Sequence, residues 1–457
     1  MSLNFLNIRP EDLDATEKRT NYTVGVIGCK HIGIFHAWLS IEKGFKVYCA
    51  DANRTILNDI AKGRIPFIQN EIALKMKNCA KSEALNLTTD AKTAAAQSNI
   101  IIITVHAEVD KKGKADYSKI VNACKQVGLG LHRGSLVVFA STVGVGTTQS
   151  LIRESLENAS GLKCGVDFGL AYSPVKSLDG QTLETMGKGE RIVAAFDKNS
   201  LNAASIFLKV ITRCSLKKTL NVKAAEAAAI FEAIQSSANA ALAREFAVFC
   251  EKAGIDHVEV AKLSKKDLSA LFSALHFDDT HSIEPYFFLE DAENLNIKAR
   301  VLKAANDVNT VIVKHAANLV RDALKGCSKT LRRARIAVLG VTRSRDSKAP
   351  LKSVAVELIR MLDAAGARLS VYDPYVTVEE ASEISNLRKS LVDALEGADC
   401  AVILTSHDVF RRLNLKELKV VMKMPAAIVD LEGIVEPSAV EKEGFIYRGL
   451  GRGVWTK

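Results

Sequence analysis

The chain has 457 residues, 48% hydrophobic and 25% charged, enough for two or three domains with full apolar cores. Its formal net charge is +10, but the basic residues are interspersed and only 6% of residues are aromatic, which argues against a nucleic-acid footprint. No long uncharged apolar run appears and the charged N-terminus lacks a signal-peptide core, so the expectation is a cytoplasmic protein without a membrane span. The densest basic cluster, Lys325–Arg335, falls where a linker between domains is expected and reads as solvated. Nine cysteines are scattered with no C-x-x-C and no Cys/His cluster, which favours reduced core thiols over disulfides and gives no metal site.

In chain order, Thr23–Asp51 reads strand, glycine turn, helix, strand. Apolar Val24, Val26 and Ile27 end at Gly28, a helix runs from about Ile32 to Lys43, and a second strand ends at Asp51. This is the βαβ unit of a dinucleotide-binding fold. Gly28 makes the tight turn, Gly33 lets helix pack on strand, and Asp51 is placed to accept from an adenosine ribose; Lys30, His31 and Ile32 complete the expected cofactor-binding stretch. Lys30 stands where the fingerprint has its second glycine, so it either obstructs the pyrophosphate or swings out and supplies charge. A Rossmann fold that keeps its topology without binding dinucleotide is the competing reading.

Further strands follow at Asn99–Val105, Ser135–Ala140, Asp167–Tyr172 and Arg191–Ala195. Ala224–Gly254 is an Ala-, Glu- and Leu-rich run with Ile230, Ile234, Leu242, Phe246 and Phe249 at helical spacing and Gly254 as its stop. Then Arg335–Gly340, a helix at Ser353–Ala365 and Arg368–Asp373 repeat the βαβ pattern. The fold class is therefore α/β: two Rossmann-like, doubly wound parallel-sheet domains joined by a long central helix and a helical middle domain. The expected divisions are 1–215, 216–325 and 326–457.

Specific words then point to a family. Asp51–Phe67, Ala140–Thr148 (ASTVGVGTT), Leu170–Glu184 (LAYSPVKSLDGQTLE), Arg191–Val193, Glu284–Ile297, Ser370–Val376, Ile403–Leu413 and Leu450–Gly453 occur in order along nearly the whole chain. Together they resemble the UDP-glucose/UDP-N-acetylmannosamine 6-dehydrogenase family. The resemblance implies an NAD-binding N-terminal domain, a middle domain that forms a homodimer through the central helix, and a C-terminal domain that contributes to a site for a UDP-sugar or other nucleotide.

It also implies a chemistry. An alcohol is oxidised twice by NAD, and a cysteine thiolate captures the intermediate aldehyde. By that comparison Thr280 occupies the cysteine's place, and no cysteine lies between Cys250 and Cys327. Ala229 and Ala233 stand where a lysine and an asparagine are expected, and Val175 where a glutamate is expected. Thr142 survives and Glu284 replaces an aspartate, so the remaining catalytic candidates are Thr142, Thr280 and Glu284, with Thr142 also facing the cofactor. Substrate-site candidates are Asn239, Arg343 and Arg452; Ser344, Leu351 and Glu432 replace basic residues, while Arg345 and Lys348 could rebuild a basic lining. His276, Asp278, Asp279 and His281 cluster beside the vacated thiol position, where they could bind a divalent metal or supply a new general base, although mixed loops of this kind are commonly just polar.

Three readings stay open: a working dehydrogenase with groups from elsewhere, a non-catalytic relative that binds nucleotide or a partner subunit, and an oxidoreductase of a single two-electron step. The residues favour the second, with NAD binding weakened by Lys30.

Overall fold

The computed structural model describes residues 4–65, 70–82, 84–110, 113–175, 187–273, 275–277, 283–346, 351–376, 384 and 386–453. The chain divides into two compact units, Met1–Ala233 with Ile283–Lys298, and Ile234–Ser282 with Ala299–Lys457.

The first unit is built on β1 (Thr23–Ile27), β2 (Lys46–Ala50), β3 (Leu85–Thr88), β4 (Ile100–Ile103), a small hairpin of β5 (Glu108–Val109) and β6 (Ala115–Asp116), β7 (Leu136–Phe139), β8 (Gly169–Tyr172), β9 (Glu190–Ala195) and β10 (Ser215–Thr219). Its eight-stranded sheet has the order β10-β9-β8-β7-β4-β1-β2-β3. β4 is four consecutive isoleucines, all buried, as a parallel strand covered on both faces requires. All pairs are parallel except β8 with β9, where Ala171 and Tyr172 face Ala195 and Ala194 antiparallel. The run Arg191–Ala195 looks like any other buried strand in sequence, so its direction was not legible there. β1 lies between β4 and β2, and the chain order reverses at that point, which opens a crevice at the carboxyl ends of these strands.

The central helix runs Val222–Ala253. It starts earlier than the alanine run suggests because Asn221 caps it, its Oδ1 accepting from the Ala224 N–H at 3.0 Å. Gly254 at φ +70° ends it. The helical spacing of its large apolar residues does not mark one buried face. Ile230 is buried, but Leu242, Phe246 and Phe249 are 40%, 37% and 67% exposed. In the second unit the small residues Ala243 and Ala247 turn inward instead, packed with Leu275, Phe277, Ile312 and Val313.

The second unit's sheet comprises β11 (Arg335–Leu339), β12 (Arg368–Tyr372), β13 (Cys400–Ile403), β14 (Ala427–Asp430) and β15 (Ile446–Gly449) in the order β12-β11-β13-β14-β15. Every neighbouring pair in it is parallel. The order reverses between β11 and β13, so this sheet too has its crevice at the carboxyl ends. No helix among the described residues is long and apolar enough to cross a membrane.

Candidate dinucleotide site

In the first unit the turn after β1 is shaped by two glycines. Gly28 adopts φ +94°, a conformation that side chains disfavour. Gly33 sits in the first turn of the helix His31–Glu42, and a Cβ there would lie 1.8 Å from the Gly28 carbonyl oxygen. Only a glycine lets this helix approach the strand so closely. Asp51, half-buried at the end of β2, accepts from the Cys29 N–H through Oδ2 at 2.7 Å and from the Asn53 N–H through Oδ1 at 2.8 Å. Each carboxylate oxygen keeps a lone pair for a ribose hydroxyl.

Lys30 is exposed and extended, with φ −78° and ψ −166°, so its backbone needs no glycine. His31 opens the helix, its ring pulled below the usual histidine range by burial. Ile32 is buried, and its carbonyl accepts from His36 Nδ1 at 2.8 Å. The turn, the helix N-terminus and the acid thus form a cradle that fits a dinucleotide pyrophosphate and adenosine ribose.

Thr142 is half-buried just beyond the carboxyl end of β7, two strands from β1. Beside it Ser141 is fully buried, and its Oγ has no hydrogen-bond partner among the described residues. The following turn is held by side chains: Gly144 N–H donates to Tyr117 Oη at 3.1 Å, and Val145 N–H to Asp291 Oδ2 at 2.9 Å. Glu226 accepts from Gly146 N–H at 2.6 Å and Thr148 N–H at 2.7 Å. Burial pushes the Glu226 carboxyl up, with the Thr148 and Gly146 donors opposing.

Glu284 opens the helix Glu284–Asn294 and is half-buried. His106, three residues beyond the end of β4 at Ile103, is held below the usual histidine range by burial first and by Lys30 next, with Glu284 opposing. Lys30, His106 and Glu284 therefore share one electrostatic neighbourhood. Thr280 lies outside the described residues, as do Asp278, Asp279 and His281. Val175 donates its N–H to the Ala140 carbonyl at 3.1 Å, and its side chain offers no polar atom. Ala229 is half-buried and Ala233 buried, one helical turn apart.

The thiols tell the same story. Burial raises Cys79, Cys250 and Cys327, and takes Cys124 and Cys164 up to about 12. Cys29 is raised by its hydrogen bond with Cys49 and by burial, and Cys400 by burial. An activated thiol is shifted the other way.

In the second unit Asn239 is exposed on the central helix and Arg343 is half-buried in the loop after β11. Arg345, offered as a phosphate contact, instead bonds Asp346 and Asp408. Arg452 lies 3.0 Å from Asp256, both buried. These candidates sit on separate elements. Sequence reasoning missed Lys352, whose buried ammonium donates to the Leu404 carbonyl at 2.8 Å, the Phe277 carbonyl at 3.0 Å and Glu432 at 3.1 Å. It also missed Glu226, whose one signal was a lone charge inside an alanine run, and His106, Tyr117 and Asp291, which carry no local pattern.

The sequence matches the NAD binding domain of the UDP-glucose/GDP-mannose dehydrogenase family over residues 22–229 and that family's UDP binding domain over residues 337–437. The chain belongs to this family. Members are NAD-dependent nucleotide-sugar dehydrogenases, and the first match places the family's NAD-binding domain on the cradle at Gly28–Asp51. The chain is 27% identical to a UDP-N-acetyl-D-mannosamine dehydrogenase of Methanococcus maripaludis over 96% of this chain and 100% of the relative. It is also 27% identical to a UDP-glucose 6-dehydrogenase of Rhizobium meliloti, over 94% and 99%. A solved UDP-D-ManNAc dehydrogenase from Pyrococcus horikoshii is similar with a TM-score of 0.79 and 26% identity, covering 94% of this chain and 100% of that one.

Proposed function

We propose that this chain is a nucleotide-sugar dehydrogenase by descent that binds NAD at the Gly28–Asp51 cradle and lacks the family's two-step, thiol-dependent oxidation. The observation that carries this reading is the state of the sulfur and the central helix. Every cysteine with a resolved shift is pushed away from thiolate, and the helix presents methyl groups at Ala229 and Ala233. NAD, when bound, accepts a hydride; this chain's own part is to hold it through Gly28, Gly33, Asp51 and the helix N-terminus at His31. Lys30 costs part of the affinity by crowding the pyrophosphate. The divisions 1–215, 216–325 and 326–457 then describe a dinucleotide domain, a helical middle and a domain for a UDP-sugar or other nucleotide. The exposed side chains of Leu242, Phe246 and Phe249 support a homodimer formed through the central helix, in which the chain serves a binding or regulatory role.

Calorimetry with NAD, beside NADH formation with a panel of UDP-hexoses and an active relative as control, tests this. The expected outcome is measurable NAD binding, tightened several-fold by Lys30→Gly, with turnover below the control by a factor on the order of 10³ or more. Light scattering on the same sample should give a dimer. Turnover near the control's would overturn the loss of chemistry.

A further inference from the structure

We propose that Glu226 is a positioning residue for the nicotinamide-side wall of the dinucleotide crevice, acting as a built-in anion that sets the turn between β7 and the helix after it. The proposal rests on the NAD-binding reading above. The turn Gly144–Thr148 begins two residues after Thr142, at the carboxyl end of a strand next to β4, whose other neighbour is β1. Four of its backbone N–H groups, those of Gly144, Val145, Gly146 and Thr148, donate to side chains drawn from three different elements. Glu226 alone takes two of them, one through each carboxylate oxygen, and it is fully buried.

Its two contacts are placed where they decide the turn's shape. Thr148 begins the helical segment that continues through Arg153–Ser160, so the carboxylate sits at a helix N-terminus, where unpaired N–H groups favour an anion. Gly146 holds φ +89°, and the Glu226 bond to its N–H pins that conformation. Glu226 does not reach the Gly28 turn, whose donors go to Asp51 and Ala50. The two walls of the crevice are therefore fixed by different carboxylates, Asp51 on the adenosine side and Glu226 on the other. Asp291 backs Glu226 by holding Val145, from the helix Glu284–Asn294.

This separation gives a test that a merely structural residue would fail. Glu226→Gln replaces one acceptor oxygen by an amide that opposes an N–H. In that variant, amide exchange at residues 144–148 should quicken on the order of tenfold, with exchange at residues 28–33 unchanged. NAD affinity should fall by about tenfold while ADP, which occupies only the adenosine side, binds as to the wild type. A residue that only supports the fold would weaken both ligands alike, which would overturn the proposal. Unchanged NAD affinity in Glu226→Gln would overturn it too. If Glu226→Gln does not fold, Asp291→Asn, a less buried residue that holds the same turn from the helix Glu284–Asn294, should give the same split between NAD and ADP at smaller size; equal effects on both sink the idea. A wild-type chain that binds no NAD fails at the functional reading itself, whereas NAD binding indifferent to Glu226 fails only here.

Discussion

The two sheets carry the same βαβ turn and put its acid to different use. In each, a glycine in the left-handed region follows the first strand, Gly28 at φ +94° and Gly340 at φ +83°. In each, the acid ending the second strand accepts from the residue after that glycine: Asp51 from Cys29 at 2.7 Å, Asp373 from Val341 at 2.8 Å. Its other oxygen accepts from the residue two positions on, Asn53 or Tyr375. There the likeness stops. Asp51 is half-buried and bonded to backbone alone among its described partners, whereas Asp373 is 6% exposed and also accepts from the Thr342 N–H and hydroxyl. His407 completes the cluster: its Nδ1 accepts from the Asp346 N–H at 2.9 Å, so its Nε2 carries the proton and points at Asp373, 3.2 Å away. One turn leaves its acid for a ligand; the other consumes it in the fold.

The comparison breaks most visibly on the acids themselves. Asp373→Ala removes the acceptor for several buried donors and should destabilise the second unit by about 3–5 kcal/mol, while Asp51→Ala costs the first unit about 1–2 kcal/mol and mainly loses ADP and NAD binding. Urea unfolding followed by amide exchange in β1–β4 and in β11–β13 would show it. Equal losses would mean that the two acids are not used differently.

Acid should separate the units next. His36 is buried with Arg191 Nη2 donating to its Nε2 at 2.9 Å, and burial together with that charge takes its pKa down to about 3. The unfolded chain binds this proton first, so His36's contribution is full above the ordinary histidine value of about 6.5 and falls by a few kcal/mol as pH drops toward 3. In Asp373, burial raises the carboxyl but the His407 hydrogen bond and the Val341 and Thr342 donors win, holding it at about 2. Its contribution, about 2 kcal/mol, stays full above 3.8 and is lost only as pH falls toward 2. Fluorescence of Trp38, close to His36 in the first unit, should report unfolding in acid that is delayed in His36→Gln. A pH profile that His36→Gln leaves unmoved would contradict this.

The smallest contrast concerns the glycines. A Cβ on Gly340 would lie 2.7 Å from Thr405 Cβ and 2.9 Å from its backbone nitrogen, whereas one on Gly28 meets Thr104 Oγ1 at 3.1 Å. Both alanine variants bear the left-handed penalty, so Gly340→Ala should be the more destabilising by only about 1–2 kcal/mol in thermal melts.

Much of the fold was legible because its signals are local. The glycine turn, the four-isoleucine strand and the uninterrupted alanine run each identify their element without knowledge of the rest. The direction of β9 was not legible, since a buried strand reads the same both ways. Nor was the orientation of the central helix, where alanines pack inward and phenylalanines outward because close packing favoured the smaller side chains. At the site, Gly28, Gly33 and Asp51 follow from spacing alone. Glu226, Tyr117 and Asp291 do not, because they reach one turn from three distant parts of the chain and depend on tertiary contact. The capture of Arg345 by Asp346 and Asp408, and of Arg452 by Asp256, is hidden for the same reason.

The ion pair between Lys352 and Glu432, 4% and 8% exposed, ties two distant positions of the chain to each other. Replacing Glu432 by arginine would set a guanidinium against a buried ammonium, and removing Lys352 alone would strand a buried carboxylate. Either single change leaves a chain that folds less well. The two positions are therefore coupled, and a variant that keeps the fold has to change both together.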